Sequence, residues 1–366
     1  MNVKYVNLPL QYKSLESKIT LAVCRVLESG NYILGTELKK CEESLAKYCQ
    51  SQYAIGVANG TDALILALRA LDIKDRDEVI TAPNSFIATA GAIVAAGARP
   101  RFVDVGEDYN INPELIESAI NEKTRAIMPV HLTGRPADMN AILDIARKHN
   151  LVVIEDAAQA IGALYYGKRV GSLGDIGCFS LHPLKNLNAA GDGGFITLNN
   201  EDLYKKIVKI RNHGLKNRDE AEHFGLNSRL DEIQASIINI KLDYIEKWND
   251  VCRKHASRYR EGLLEIVKTP NEWAYERQVY HTFIIQADKR DELQSYLLKN
   301  GIETKIHYPI PIHLQPAARN LGYKAGDFPV AEEQAQRILS LPIYPELTHD
   351  EVEEVIRGVK GFYGSM

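Results

Sequence analysis

Between residues 53 and 200 the chain alternates short apolar runs with stretches of helical period, and this alternation limits the possible fold more than any other feature. Apolar runs of strand length stand at 53–58, 78–81, 101–105, 125–130, 151–155, 176–181 and 195–198. Helical stretches fall at 62–71, 84–96, 113–121 and 137–149. Such alternation predicts βαβ units and therefore an α/β fold, a mostly parallel sheet of about seven strands covered by helices. The stretch 62–71, DALILALRAL, is apolar almost all round and is expected to be buried against that sheet. The last two strands are joined by 182–194, which is too rich in Gly and Asn for an ordinary helical crossover.

After residue 200 the texture changes. Residues 201–212 read as a helix, and a long polar loop, 213–227, follows. Loops of that length inside compact domains are often functional, although a solvated surface is the commoner outcome. From 229 to 261 there is neither Gly nor Pro, which predicts one long helix or two joined end to end. A smaller C-terminal α+β unit is expected beyond it, with a strand at 281–287, a helix at 290–300 and a strand at 302–306. A chain of 366 residues suggests about two domains. Their boundary is placed inside the long helix, giving a large domain 1–245 (N-terminal segment included) and a small one 246–366.

Composition removes several function classes. Lys and Arg number 44 against 48 Asp and Glu, a net charge of −4, which argues against a protein built to grip nucleic acid or an anionic membrane. No run of 18 apolar residues predicts a membrane span, and the first residues carry no secretory pattern. Five cysteines (24, 41, 49, 178 and 252) form no CxxC pair and no cluster with histidine. Reduced thiols, a cytoplasmic location and no bound metal are the expectation.

Parallel α/β sheets bind ligands at the carboxyl ends of their strands, and three segments at such ends carry chemistry. In Asn59-Gly60-Thr61-Asp62 the start of a helix offers free N–H groups and a hydroxyl to an anion, and Gly60 lets a phosphate come close to the backbone. Alone, it reads as a plain helix cap. In Val153-Ile154-Glu155-Asp156-Ala157-Ala158-Gln159 a carboxylate follows a buried strand, where Asp156 can keep a pyridine nitrogen protonated. Alone, it is an N-cap aspartate. In Cys178-Phe179-Ser180-Leu181-His182-Pro183-Leu184-Lys185-Asn186 a lysine lies in a tight loop where burial lowers its pKa and frees the amine to attack a carbonyl. Alone, it is a solvated loop lysine.

In this order the three motifs, with Pro83-Asn84-Ser85-Phe86-Ile87-Ala88-Thr89 between the first and second, suit pyridoxal phosphate. From Ser29-Gly30-Asn31-Tyr32-Ile33-Leu34-Gly35 to Leu341-Pro342 the chain resembles the fold-type I aminotransferases, and within them the DegT/DnrJ/EryC1/StrS sugar aminotransferases. The resemblance implies roles for particular residues. Lys185 matches the lysine that binds the cofactor covalently, and Asp156 the acid at the ring nitrogen. Gln159 matches the side chain near the ring hydroxyl, and Phe86 the aromatic stacked on the ring. Gly60, Thr61 and Ser180 match phosphate ligands. Asn227, in Gly225-Leu226-Asn227-Ser228-Arg229, matches an asparagine that reaches a neighbouring subunit's phosphate, implying a homodimer with shared active sites. His182, His307, Tyr308 and His313 are candidate substrate contacts. His131 is expected to be structural or to wall the pocket.

The implied reaction passes nitrogen from an amino acid, expected to be L-glutamate, to the cofactor and then to a keto sugar. Glutamine at position 159 favours amination at C-3 of a nucleotide-linked 3-keto-6-deoxyhexose, as used in surface-polysaccharide or other amino-sugar biosynthesis. His182 departs from the aromatic that many members carry there. It leaves open a 4-keto nucleotide sugar or a free keto sugar such as an 8-keto octulosonate. A sugar dehydratase of the same family would replace Lys185 with histidine. A non-enzymatic regulator would not need an intact cofactor site. A Rossmann dehydrogenase would carry GxGxxG where Asn59-Gly60-Thr61 stands.

Overall fold

The computed structural model describes residues 2–364. Two helices, α1 (Leu8–Ser29) and α2 (Thr36–Cys49), precede β1 (Tyr53–Val57) and α3 (Gly60–Ala70). The chain continues through β2 (Glu78–Thr81), α4 (Ile87–Ala95), β3 (Arg99–Phe102), α5 (Pro113–Ala119), β4 (Thr124–Ile127), α6 (Met139–His149) and β5 (Val152–Asp156). A small hairpin of β6 (Leu164–Tyr165) and β7 (Lys168–Arg169) leads to β8 (Ile176–Ser180) and β9 (Gly194–Leu198). Next come α7 (Glu201–Ile210), α8 (Glu232–Leu242), α9 (Ile245–Leu263), β10 (Glu276–Arg277) and β11 (Phe283–Gln286). Last are α10 (Arg290–Lys299), α11 (Pro329–Arg337), β12 (Ile338–Leu341) and α12 (His349–Gly364).

The main sheet has seven strands in the order β1-β9-β8-β5-β4-β2-β3. Every neighbouring pair is parallel except those made by β9, which runs antiparallel to both β1 and β8. No helix separates β8 from β9, so the chain has nothing to carry it back across the sheet and β9 returns beside β8 in the opposite direction. The mostly parallel α/β sheet expected from the sequence is therefore the one observed.

Both sheet faces are covered, and strand period shows it. Ala54, Phe179 and Phe195 pack with Leu38 and Leu45 of α2 and Ile237 of α8. Their neighbours Ile55, Cys178 and Ile196 point the other way, onto Leu64 and Leu68 of α3. The nearly all-apolar α3 is buried as expected, with Leu64, Leu66, Ala67 and Leu68 inside. A separate apolar cluster joins Tyr259, Phe283, Leu341 and Val355 to Val3 at the other end of the chain.

Some expected boundaries move. The strand expected at 101–105 forms two residues earlier, because the register with β2 ends at the Thr81–Phe102 pair. The Gly- and Pro-free stretch 229–261 splits into α8 and α9 at Asp243–Tyr244. Residues 302–306 form no strand. Ile302 makes a single bridge to Val3, and Lys305 one to Ser340.

Candidate active site

Strands β1, β8, β5 and β2 all run in one direction, so their carboxyl ends meet along one edge of the sheet. A cavity of about 670 Å³ lies there. It is lined by Gly60, Thr61, Phe86, Asp156, Gln159, Ser180, His182, Lys185, His307 and Tyr308. Ten of the twelve candidate residues are thus brought together from five stretches of sequence.

The start of α3 forms one end. Asn59 caps the helix by accepting the Asp62 N–H at 2.8 Å. The first N–H groups of a helix have no acceptor within it, so those of Gly60 and Thr61 remain for a ligand beside the Thr61 and Ser180 hydroxyls. The structure adds a second reason for glycine at position 60. A Cβ there would stand 2.7 Å from the Ser180 Cβ, and one on Gly194 would stand 2.5 Å from the Asn59 carbonyl. Close packing of α3 against β8 and β9 demands these glycines before any phosphate is considered.

Asp156 ends β5. Its carbonyl accepts the His131 N–H and its own N–H donates to Pro129, so the main chain is fixed. One carboxylate oxygen accepts from the Thr89 hydroxyl at 2.7 Å and the other from the Ala158 N–H at 3.3 Å. The side chain is buried and, among the described residues, has no salt-bridge partner; burial raises its pKa, while the Thr89 hydrogen bond opposes the rise. A buried carboxylate with hydroxyl and amide donors but no cation is suited to a cationic ring nitrogen.

Lys185 follows β8 in a turn closed by its own N–H on the His182 carbonyl (2.8 Å). Burial brings its pKa down to about 8, although the Asp156 charge opposes this. Its Nζ lies 3.4 Å from His281 Nε2. Burial, with Lys185 nearby, pushes the His281 pKa well below the ordinary value.

The remaining wall is aromatic and imidazole. Phe86 caps α4 with its ring more than half exposed, 5.6 Å from the Tyr308 ring. The Gln159 carbonyl oxygen accepts the Thr133 N–H at 2.8 Å, which turns its amide nitrogen toward the Tyr308 hydroxyl at 3.5 Å. His307 Nδ1 pairs with the Ser340 hydroxyl at 2.9 Å, and burial depresses its pKa to about 4. His182 is exposed at the mouth, its Nδ1 accepting the Leu184 N–H at 3.3 Å.

Two candidates lie elsewhere. His313 is buried away from the cavity: its Nε2 meets Glu332 on α11 at 3.0 Å and its ring packs on Phe328. Ile312, anchored to the Pro83 carbonyl, fills the core and sends the next side chain toward α11. Its expected substrate contact is not what this structure places there. Asn227 is exposed, outside its own chain's cavity. His131 is structural, as expected. Its Nδ1 accepts the Ala137 N–H, so the proton sits on Nε2, which donates to Glu155 at 2.9 Å. His281, Tyr5 and Thr89 join the cavity without having been singled out from sequence. Only Thr89 had a local signal, one helical turn beyond Phe86.

The donor set fits the expected cofactor. Helix N–H groups and two hydroxyls suit a phosphate, an unpaired buried carboxylate suits a pyridinium, and an amine of lowered pKa suits an aldehyde.

Comparison with known proteins agrees. The DegT/DnrJ/EryC1/StrS aminotransferase family profile matches residues 13–360. A protein of Geobacillus stearothermophilus named a pleiotropic regulatory protein is 46% identical, with 99% of each chain covered. The dTDP-3-amino-3,6-dideoxy-alpha-D-galactopyranose transaminase of Aneurinibacillus thermoaerophilus is 44% identical, covering 95% of this chain and 96% of its own. The crystal structure of Streptomyces venezuelae DesV in complex with a ketimine intermediate superposes with a TM-score of 0.97 at 40% identity, covering 99% of this chain and 98% of its own. The chain belongs to the DegT/DnrJ/EryC1/StrS aminotransferase family.

Proposed function

We propose that this protein is a pyridoxal phosphate-dependent aminotransferase that moves an amino group from L-glutamate to C-3 of a nucleotide-linked 3-keto-6-deoxyhexose in amino-sugar biosynthesis. The observation that carries the reading is the gathering of Lys185, Asp156 and the α3 N-terminus around one cavity. Pyridoxal phosphate supplies an aldehyde for amines and a ring that takes up the electrons left when a proton departs.

The chain's own residues do the rest. Thr61, Ser180 and the N–H groups of Gly60 and Thr61 hold the phosphate. Asp156 keeps the ring nitrogen protonated, and a cation beside it would reverse the upward push that burial gives its pKa. Thr89 fixes the carboxylate, and Phe86 covers the ring. With a pKa of about 8, roughly a tenth of Lys185 is neutral at pH 7, against well under a thousandth for an ordinary lysine. Neutral Lys185 would serve as the base that accepts the amino-acid proton at its Nζ, with the bound cofactor supplying the electron sink. Gln159, oriented by Thr133, meets the ring hydroxyl. His182, His307 and Tyr308 border the sugar.

C-3 amination is supported by Gln159 and by the 3-amino product in the name of the Aneurinibacillus relative. The regulatory name of the Geobacillus relative favours a second reading, a protein that binds without turnover. Against it stands a site in which the lysine, the acid and the phosphate-binding end are all present. A homodimer completes the proposal. Asn227, exposed and outside its own cavity, reaches a neighbour's phosphate, and exposed Tyr32, Ile33 and Leu34 supply apolar contact area.

The test is an assay with 15N-glutamate against nucleotide-linked 3-keto and 4-keto hexoses and a free keto-sugar acid, read by mass spectrometry. The account expects label in the 3-amino nucleotide sugar. Label only in a 4-amino or a free sugar overturns the substrate, and no label in any overturns the enzyme.

A further inference from the structure

The loop that presents Lys185 is supported from below by a second buried lysine. Lys241 on α8 is 6% exposed and does not line the cavity. Its Nζ donates to the Gln11 side-chain oxygen at 3.2 Å, to the Asn188 carbonyl at 3.0 Å and to the Asn188 side-chain oxygen. Among the described residues no carboxylate forms a salt bridge with it, and Glu346 acts on it only across space. A buried ammonium satisfied by neutral oxygens alone is costly to keep. Burial accordingly draws its pKa down to about 8.

What the ammonium grips explains its retention. Asn188 accepts from Lys241 with both of its oxygens, and its amide nitrogen donates to the Lys185 carbonyl at 3.0 Å. Leu187 and Ala189, on either side, are buried in the apolar core. A cavity of about 50 Å³ adjoins the loop, lined by Gln11, Lys185, Asn188 and Glu346 among others. Among the described residues the loop is also held by Asn186, which donates to Asn249 and to the Val279 carbonyl, and by Gln234 of α8, whose side-chain oxygen accepts the Ala190 N–H at 2.8 Å.

We propose that Lys241 is a positioning residue which, through Asn188, fixes the main chain of Lys185 and so sets where the reactive amine enters the cavity. The clasp deepens the aminotransferase reading and rests on it for its purpose, but its geometry can be judged without the cofactor. Two variants separate positioning from stability. Lys241→Met keeps length and removes a buried charge. Asn188→Asp keeps the oxygens that Lys241 holds and removes the donor to Lys185.

Hydrogen exchange of residues 182–189 in the cofactor-free protein is expected to quicken by roughly tenfold or more in both variants, with the sheet strands unchanged. Formation of the visible lysine-bound band on adding pyridoxal phosphate is expected to slow roughly ten- to a hundredfold, while the thermal midpoint stays within a few degrees of wild type. The clasp is overturned if exchange in 182–189 is unchanged in both variants. It is equally overturned if exchange quickens over the whole chain in step with lost stability. If the wild type itself forms no band, the function fails, and the exchange result still judges the clasp.

Discussion

The two sides of the cavity were built differently. The cofactor side comes from strand ends β1, β5 and β8 and the start of α4, each carrying its chemistry within a few residues of an apolar strand. The opposite wall, proposed to border the sugar, draws on Tyr5, His281 and the pair His307 and Tyr308, which come from distant parts of the sequence and meet only in the folded chain. A parallel sheet brings strand ends together by topology alone, so the first side requires little beyond local pattern. The second depends on long-range packing.

If the two sides do separate jobs, substitutions should separate them. Asp156→Asn, on the cofactor side, keeps shape and removes the charge. It should lower kcat by roughly a hundredfold or more with the lysine-bound band still formed, measured by steady-state assay and absorbance. A loss below about threefold would remove Asp156 from its assigned role. Gly60→Ala pushes a methyl group into Ser180. It should cost about 1–3 kcal/mol in urea unfolding and weaken cofactor retention together. Intact retention with lost stability would show that the phosphate end tolerates the shift. His307→Asn, on the sugar side, should raise KM for the keto sugar about tenfold, leaving KM for glutamate and the band within twofold. Equal effects on both substrates would dissolve the division.

A pH series sharpens the same contrast. Only neutral Lys185 attacks an aldehyde, and its folded pKa is lowered to about 8. The rate of cofactor capture should therefore rise through pH 8 and level off above it. His307, held near 4, stays neutral across that range and should leave no mark on the profile.

Legibility followed the same line. The alternation in 53–200, the absence of a helix between β8 and β9 and the burial of α3 were all readable, because each reflects local period or composition. Asp156, Lys185 and Thr61 were readable as residues just past strands. Gly60 was readable as a glycine but for an incomplete reason, since its contact with Ser180 joins residues 120 positions apart. His281 was passed over as the start of an expected strand, because nothing nearby in sequence reveals its approach to Lys185. His313 was drawn toward the pocket by its neighbours His307 and Tyr308, whereas Glu332 and Phe328 draw it into a different pocket of the core. Lys241 carried no signal at all: it is the single lysine near the end of a largely apolar helix, and only tertiary structure reveals its hold on Asn188 in the active loop.

The central claim is that the amine of Lys185 is the attachment point of the cofactor. Borohydride reduction of the pyridoxal phosphate-loaded protein, followed by proteolysis and mass spectrometry, reads that point directly. The account predicts one phosphopyridoxyl group per chain, on the peptide containing Lys185, and none in the Lys185→Ala protein. A group fixed on a different lysine, or no fixed group in a protein that still transfers nitrogen, would contradict it.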